Sequence, residues 1–465
     1  MAISSIGVGS GLKLDELLED LRKAESVPLS TIQNRQTENA NRISAYGKLK
    51  GLVSAVQTAA KALNDETLYG AVKISTVGDA ISATGNNKAT PGQYNIVVTQ
   101  LATQHTLASR GVAERDSALG VGGKVTFTLA NGDEHTLDMS GKDTSLQGIM
   151  KEINADPTLG LTATIINTGD ATAPHKLVLT AKDSGEQASI QSISVTDNNE
   201  LSGLLAYAGT AAEDPSGQSI TQITQAKNAE VTVNGIPVIS QSNTLKDTVE
   251  GLEITLTKES SDPVRLDVTR DDSIPTKAIK GFVDAYNAFN SNIRSLTAYD
   301  IENQKGSPLT GDSMPRRIQS SMRSALGVVS DEGNLRTLSS IGITVDPKTG
   351  DLLTDDKKLA AALKDNMADV QRLFVGEDAI GNRIHTAAED YIKKGGFIDN
   401  ATEGADKIGK DLEKQALATA ERIDNKIEAY RKQFVQLDVM INRMQGTSNY
   451  LSQQLSMLGN MNDSK

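Results

Sequence analysis

Residues 434–460 read FVQLDVMINRMQGTSNYLSQQLSMLGN, and their spacing limits what the rest of the chain can do. Ile427, Tyr430, Phe434, Leu437, Ile441, Met444, Leu451, Leu455 and Leu458 are separated by alternating threes and fours, and only Ser448 interrupts the register. Such a heptad pattern makes a helix with one apolar seam, suited to lie against other helices. From Ala420 to Leu458 that helix spans about 57 Å at 1.5 Å per residue. Nine large seam residues, each worth roughly 1.5–3 kcal/mol on full burial, form a strong drive to associate. The seam must find partners.

The opposite end supplies one. After Gly7, Gly9 and Gly11, Leu14, Leu17, Leu18 and Leu21 fall on one helical face. Asp15 and Glu16 lie early and Arg22 and Lys23 late, as the helix dipole favours. Pro28 closes this helix and opens the next, with Ser26 as its expected cap. Helical spacing then continues through Ile32, Ile43, Tyr46, Leu49, Val53, Val56, Ala60 and Leu63, although Gln33 to Asn41 gives a polar seam.

Near residue 71 the period changes to two. KISTVGDAISATG and GQYNIVVTQLA alternate, and Asn131-Gly132 and Asn234-Gly235 sit between alternating runs as hairpin signals. VEGLEITLTKE and PVRLDVTRD end the β region near 272. Helical spacing resumes at Pro275 and predicts helices over 314–326 and 356–374, a hairpin through Asp346–Gly350, and a last helix from about 408. The expected fold is α+β and multidomain, with terminal coiled-coil-like helices and a helical domain flanking central antiparallel β domains. The chain is nested so that its ends lie together. The expected parts are leg helices 1–45 and 420–465, a helical domain 46–72 and 273–419, a β domain 73–125 and 230–272, and an exposed, variable β domain 126–229. One short partner helix leaves much of the C-terminal seam wet, so other chains are expected to cover it, and the free monomer to have disordered or sticky ends.

Composition removes several functions. The net charge of −12 and pI near 5.0 disfavour nucleic-acid binding, which needs a basic face. Cysteine is absent, which excludes disulfides, zinc-thiolate sites and thiol nucleophiles. No stretch approaches the apolar length of a membrane helix, and the N-terminus lacks the basic and apolar regions of a cleavable signal. Aromatic residues are 3% of the chain, which weighs against a small-molecule pocket. His105, His135, His175 and His385 show no metal-ligand spacing. The Gly120–Lys124 turn has Val125 where a phosphate loop needs Ser or Thr, and Gly7–Gly11 follows no strand. Asp346 to Asp356 lacks the alternating ligands of a calcium loop. No catalytic constellation, cofactor site or metal site is expected.

Several stretches together resemble the flagellar hook-associated protein 2 family, the filament cap. IGVGSGLKLDELLEDLRKAESVPLSTIQ matches its Gly-Ser-Gly-Leu entry and its break, here Ala24, Glu25, Pro28 and Leu29. Lys13 and Leu14 stand before Asp15 where many members place Asp directly. YNIVVTQLATQHTLAS and VTVNGIPVISQSNTLKDTVEGLEITL are similar to its outgoing and returning β segments. AYNAFNSNIRSLTAYD, SPLTGDSMPRRIQSSMRSAL and IGITVDPKTGDLLTDDKKLAAALKDNMADVQRLF follow in the family's order, with the weakest coverage over about 126–225. The resemblance implies a non-enzymatic cap, exported by the flagellar type III apparatus without signal cleavage. It implies a homo-oligomeric ring at the filament tip that folds and inserts arriving flagellin. The expected assembly surface is Leu14, Leu17, Leu18 and Leu21 with Ile423, Ile427, Tyr430, Phe434, Leu437, Ile441, Met444, Leu451, Leu455 and Leu458. Its expected partners are neighbouring subunits, flagellin, the hook-filament junction protein and a cytoplasmic chaperone on the C-terminal helix. The alternative is an adhesin that grips host glycans or mucin through the variable β module, about 126–225.

Overall fold

The computed structural model describes residues 13–209 and 220–462. The chain divides into two compact units, Met1–Glu66 with Pro275–Lys465, and Thr67–Ile274. It is an α+β protein in the order helix, sheet, helix. Helices α1 (Leu14–Glu25) and α2 (Val27–Leu63) come first. Strands β1 (Val72–Val77), β2 (Ile81–Gly85), β3 (Gly92–Gln100), β4 (Gln104–Ala108), β5 (Lys124–Leu129) and β6 (Glu134–Asp138) follow. Then come α3 (Leu146–Ala155), β7 (Leu161–Asn167), β8 (His175–Ser184), β9 (Ile190–Thr196) and α4 (Asn199–Leu205). The β region ends with β10 (Thr221–Thr224), β11 (Ala229–Val233), β12 (Ile236–Ser240), β13 (Thr244–Lys246), β14 (Leu252–Leu256) and β15 (Val264–Arg270). After α5 (Ser273–Thr297) come the short strands β16 (Tyr299–Asp300) and β17 (Lys305–Gly306), α6 (Met314–Leu326), β18 (Ile343–Val345) and β19 (Leu352–Thr354). Helices α7 (Asp356–Asp365), α8 (Met367–Phe374), α9 (Ile380–Ile392) and α10 (Phe397–Asn462) close the chain.

In the helical unit, α2 buries Tyr46, Leu49, Val53, Val56, Ala60 and Leu63 along one stripe. It runs antiparallel to α10, because Lys50 pairs with Asp399 while the earlier Asn39 donates to the later Ala405 carbonyl at 2.8 Å. Asn39 belongs to the polar seam, and this bond gives that polarity a structural use. The Tyr46 hydroxyl donates to Asp312, and burial together with that carboxylate pushes it up to about 12. Helix α5 fastens the β18–β19 hairpin through side chains that reach its backbone. Asn287 makes two bonds to Leu352, of 2.6 and 2.8 Å, and the fully buried Asn290 donates to the Gly350 carbonyl. Arg294 grips the Asp351 carboxylate with Nη1 and Nη2, the two terminal nitrogens of its guanidinium. Gln319 of α6 donates to Asn290 at 2.8 Å and closes the network.

The β unit holds two apolar cores. An antiparallel sheet ordered β1-β15-β3-β11-β12 and a smaller one ordered β13-β14-β2 enclose Ile96, Val98, Ile254 and Leu266. Asn234 and Gly235 both have positive φ in the two-residue β11–β12 turn, the type I′ geometry that Asn-Gly favours. Strand β12 is an edge strand and carries Pro237, with Ile236 and Ile239 exposed. The second core lies between sheets β10-β4-β8-β7 and β6-β5-β9, around Leu107, Phe127, Ile149, Leu179 and Leu201. Buried His105 accepts a bond at Nδ1 from the Ile190 amide, and burial pulls its pKa below the usual value.

Four expectations need correction. Ser26 does not cap α2: its backbone is helical, and its hydroxyl donates back to the Arg22 carbonyl instead. The last helix begins at Phe397 rather than near 408. The 126–229 stretch is not all β, since α3 and α4 pack into its core, with Ser145 and Asn198 as side-chain caps. Strand β4, expected with the first β domain, pairs with β8 and β10 in the second set of sheets.

Two tests follow. Asn290→Ala leaves the Gly350 carbonyl and Gln319 without their partner inside the fold. It should destabilise the helical unit by about 2–3 kcal/mol, read as a lower urea midpoint for that unit and an unchanged one for the β unit. The second test concerns His105. The unfolded chain binds a proton near the ordinary value of 6.5, and the folded one only at lower pH. The stabilising contribution is therefore complete above pH 6.5 and is lost as pH falls from there toward the lowered folded value. Thermal melting between pH 7.5 and 5 should show this loss in the β unit, with a shallower slope in His105→Gln.

Candidate functional site

The two terminal helices bring the expected assembly residues together only in part. Helix α1 has Asp15 and Glu16 in its first turn and Arg22 and Lys23 in its last, so both ends suit the dipole. Leu14 and Leu18 are buried, Leu21 is half-buried, and Leu17 faces solvent at 47% exposure. Leu18 meets Ile423 and Ile427 of α10, and Leu21, Leu29, Tyr430 and Phe434 pack around them. Arg22 pairs with Asp424, and Lys426 with Glu25 at 2.6 Å, across the α1–α10 contact. The Glu25 hydrogen bond raises the Lys426 pKa.

Beyond Phe434 the cover runs out. Ile441 is half-buried, whereas Leu437, Met444, Leu451 and Leu455 are 40–67% exposed. Helix α10 includes Leu458, whose side chain lies outside the described residues. The apolar seam is therefore satisfied within the chain through Phe434 and only weakly beyond it.

The same seam also extends further back than the large residues indicate. Ile398, Ala405, Leu412 and Thr419 are buried at seven-residue intervals, on the part of α10 that runs along α2. Ala405 and Thr419 alternate with the larger Ile398 and Leu412 and hid the register; a search that admits Ala and Thr at heptad positions would have found it. The step then becomes four and four, from Thr419 to Ile423 to Ile427, a stutter that locally unwinds a coiled coil. Before it small and large seam residues alternate, and after it all are large.

Among the described residues there is no group of three or more His, Asp or Glu side chains placed to hold a metal ion, and no helix long and apolar enough to cross a membrane. A polar cleft of about 630 Å³ in the β unit is lined by Asp133, His135, Lys182 and Asp183 together with amides and hydroxyls. The Gly120–Lys124 segment is a turn, held by Asn198 donating to the Leu119 and Gly122 carbonyls.

The molecule is thus a helix-flanked β protein whose terminal seam is covered within the chain only in part. Residues 10–105 match the model of the flagellar hook-associated protein 2 N-terminus, and 226–446 that of its C-terminus. The flagellar hook-associated protein 2 of Escherichia coli K12 is 34% identical over 97% of this chain and 98% of its own length. That of Salmonella typhimurium is 36% identical over 98% of each. The crystal structure of the D1-D2-D3 domains of the E. coli flagellar cap protein FliD is 32% identical, with a TM-score of 0.70 over 78% of this chain and 99% of that one. The chain belongs to the flagellar hook-associated protein 2 family, which is structural rather than enzymatic.

The α1–α10 contact can be tested directly. Ile427→Ala should remove about 2 kcal/mol of packing, and a short helix held by so small a cluster is marginal alone. Amide exchange across 14–25 should then accelerate at least tenfold, with exchange across 45–63 unchanged.

Proposed function

We propose that this chain caps the flagellar filament. Several copies form a ring at the tip, retain exported flagellin, and promote its folding and insertion. The observation that carries this reading is the apolar seam of α10 left uncovered beyond Phe434, in a chain whose relatives are flagellar hook-associated proteins and whose structural neighbour is a flagellar cap protein. In the assembly, Leu14, Leu17, Leu18 and Leu21 with the seam from Ile423 to Leu458 contact neighbouring copies, flagellin and the hook-filament junction protein. Before export through the flagellar type III apparatus, a cytoplasmic chaperone covers the same seam, because free apolar surface of this length would aggregate. The adhesin alternative gains nothing from the family matches.

Deleting the gene in the source bacterium tests the reading. Abundant unassembled flagellin in the medium and no filaments are expected; normal filaments would overturn it. In a complementing chain, Leu437→Asp combined with Ile441→Asp should bury uncompensated charge at a cost of several kcal/mol. That weakens assembly more than about 100-fold and abolishes capping, while the circular dichroism of the β unit stays unchanged. Wild-type numbers of filaments from this variant would exclude α10 as the assembly helix.

A further inference from the structure

The exposed half of α10 carries a second apolar stripe that the seam does not use. Val435, Val439, Tyr450 and Met457 are 44–63% exposed. At 3.6 residues per turn they fall on the side of the helix opposite Leu437, Ile441 and Leu455. Gly446 lies on this second side, and nothing in the chain comes within 4 Å of where its Cβ would be. A glycine inside a helix costs roughly 0.5–1 kcal/mol relative to alanine, yet no neighbour within the chain requires one here. The composition changes over the same stretch. Residues 433–462 contain two charges, Asp438 and Arg443, whereas the thirty residues before them, 403–432, contain fourteen. A helix surface meant for water is rich in charge; this one has Gln, Asn, Ser and Thr instead.

We propose that the second face packs against α10 of another copy of this chain, so that the distal half of the helix lies between partners on opposite sides. The proposal rests on the capping reading only in requiring that copies assemble. Charge selects the partner. Parallel copies around a symmetry axis bring equal positions to equal heights, where like charges repel. The near-neutral composition of 433–462 removes that repulsion, leaving Arg443 at the edge of the face as the one like-charged position to accommodate. The missing side chain at Gly446 lets two helix backbones approach closely.

Gly446→Leu separates this from a solvent-facing stripe, because it improves helix propensity while filling the gap. Sedimentation of the full-length chain should show oligomers weakened at least tenfold with helicity equal or higher; oligomers as tight as wild type would overturn the proposal. As a second measurement, the deletion strain is complemented with a chain carrying a benzophenone side chain at Tyr450, and its capped filaments are irradiated. A cross-linked product containing two copies of this chain joined through α10 is expected. A product with flagellin alone, or none, would overturn the second-face assignment while leaving the capping reading intact. A wild-type chain that neither oligomerises nor caps would overturn both.

Discussion

The antiparallel packing of α2 against the first part of α10, from Asn39 beside Ala405 and Gly409 to Lys50 beside Asp399, sets the geometry for the terminal part of the molecule. The contact is close because α10 presents Ala405 and Gly409 there; a Cβ on Gly409 would come within 3.1 Å of the Asn39 side-chain nitrogen. Past the stutter at Thr419–Ile427 every seam residue is large, while the partner shrinks to the twelve residues of α1. One helix therefore has two regimes, a tightly matched one within the chain and an undersupplied one beyond it. The apolar excess is a direct result of that mismatch in length.

Polar contacts divide along the same line. Inside the helical unit the Asn287, Asn290 and Arg294 ladder fixes one register of the β18–β19 hairpin, since its backbone acceptors are matched one by one. At the α1–α10 contact the ion pairs are exposed, and solvent screening leaves such pairs worth little. Arg22 and Asp424 are each more than half exposed. The docking of α1 thus rests on a few leucine and isoleucine side chains, and that end of the molecule opens more readily than its middle.

Much of this was legible in the sequence because it is local and periodic. The change from helical to strand spacing near 71 and back near 275, the Asn-Gly turn at 234–235, and the 346–350 turn all depend on neighbours in sequence. Helices α3 and α4 were missed because their surroundings are rich in Thr, Asp, Ser and Asn, and seven to ten residues give too little periodicity to read. The start of α10 was missed because Ala405 and Thr419 interrupt the large residues of its early seam. Strand β4 was assigned to the wrong sheet because pairing with β8, over seventy residues away, is a long-range choice. Of the candidate surface, the inward positions of Leu14, Leu18, Ile423 and Ile427 followed from spacing. Spacing did not reveal that Leu17 turns outward, since three-and-four steps define a broad face, and which edge of it is covered depends on where the partner stops. The second stripe at Val435 and Val439 escaped notice because a single dominant seam draws the eye from the opposite side.

Strand β12 has one more consequence. An edge strand displaying Ile236 and Ile239 is the kind of surface along which two molecules fuse by extending each other's sheets. Pro237 has no amide hydrogen, so the row of donors and acceptors along that edge is broken at its second residue. Neighbouring molecules can press their side chains together there and still part, because a continuous ladder between them cannot form. The proline separates contact from aggregation, which matters most where many identical chains are crowded into one place.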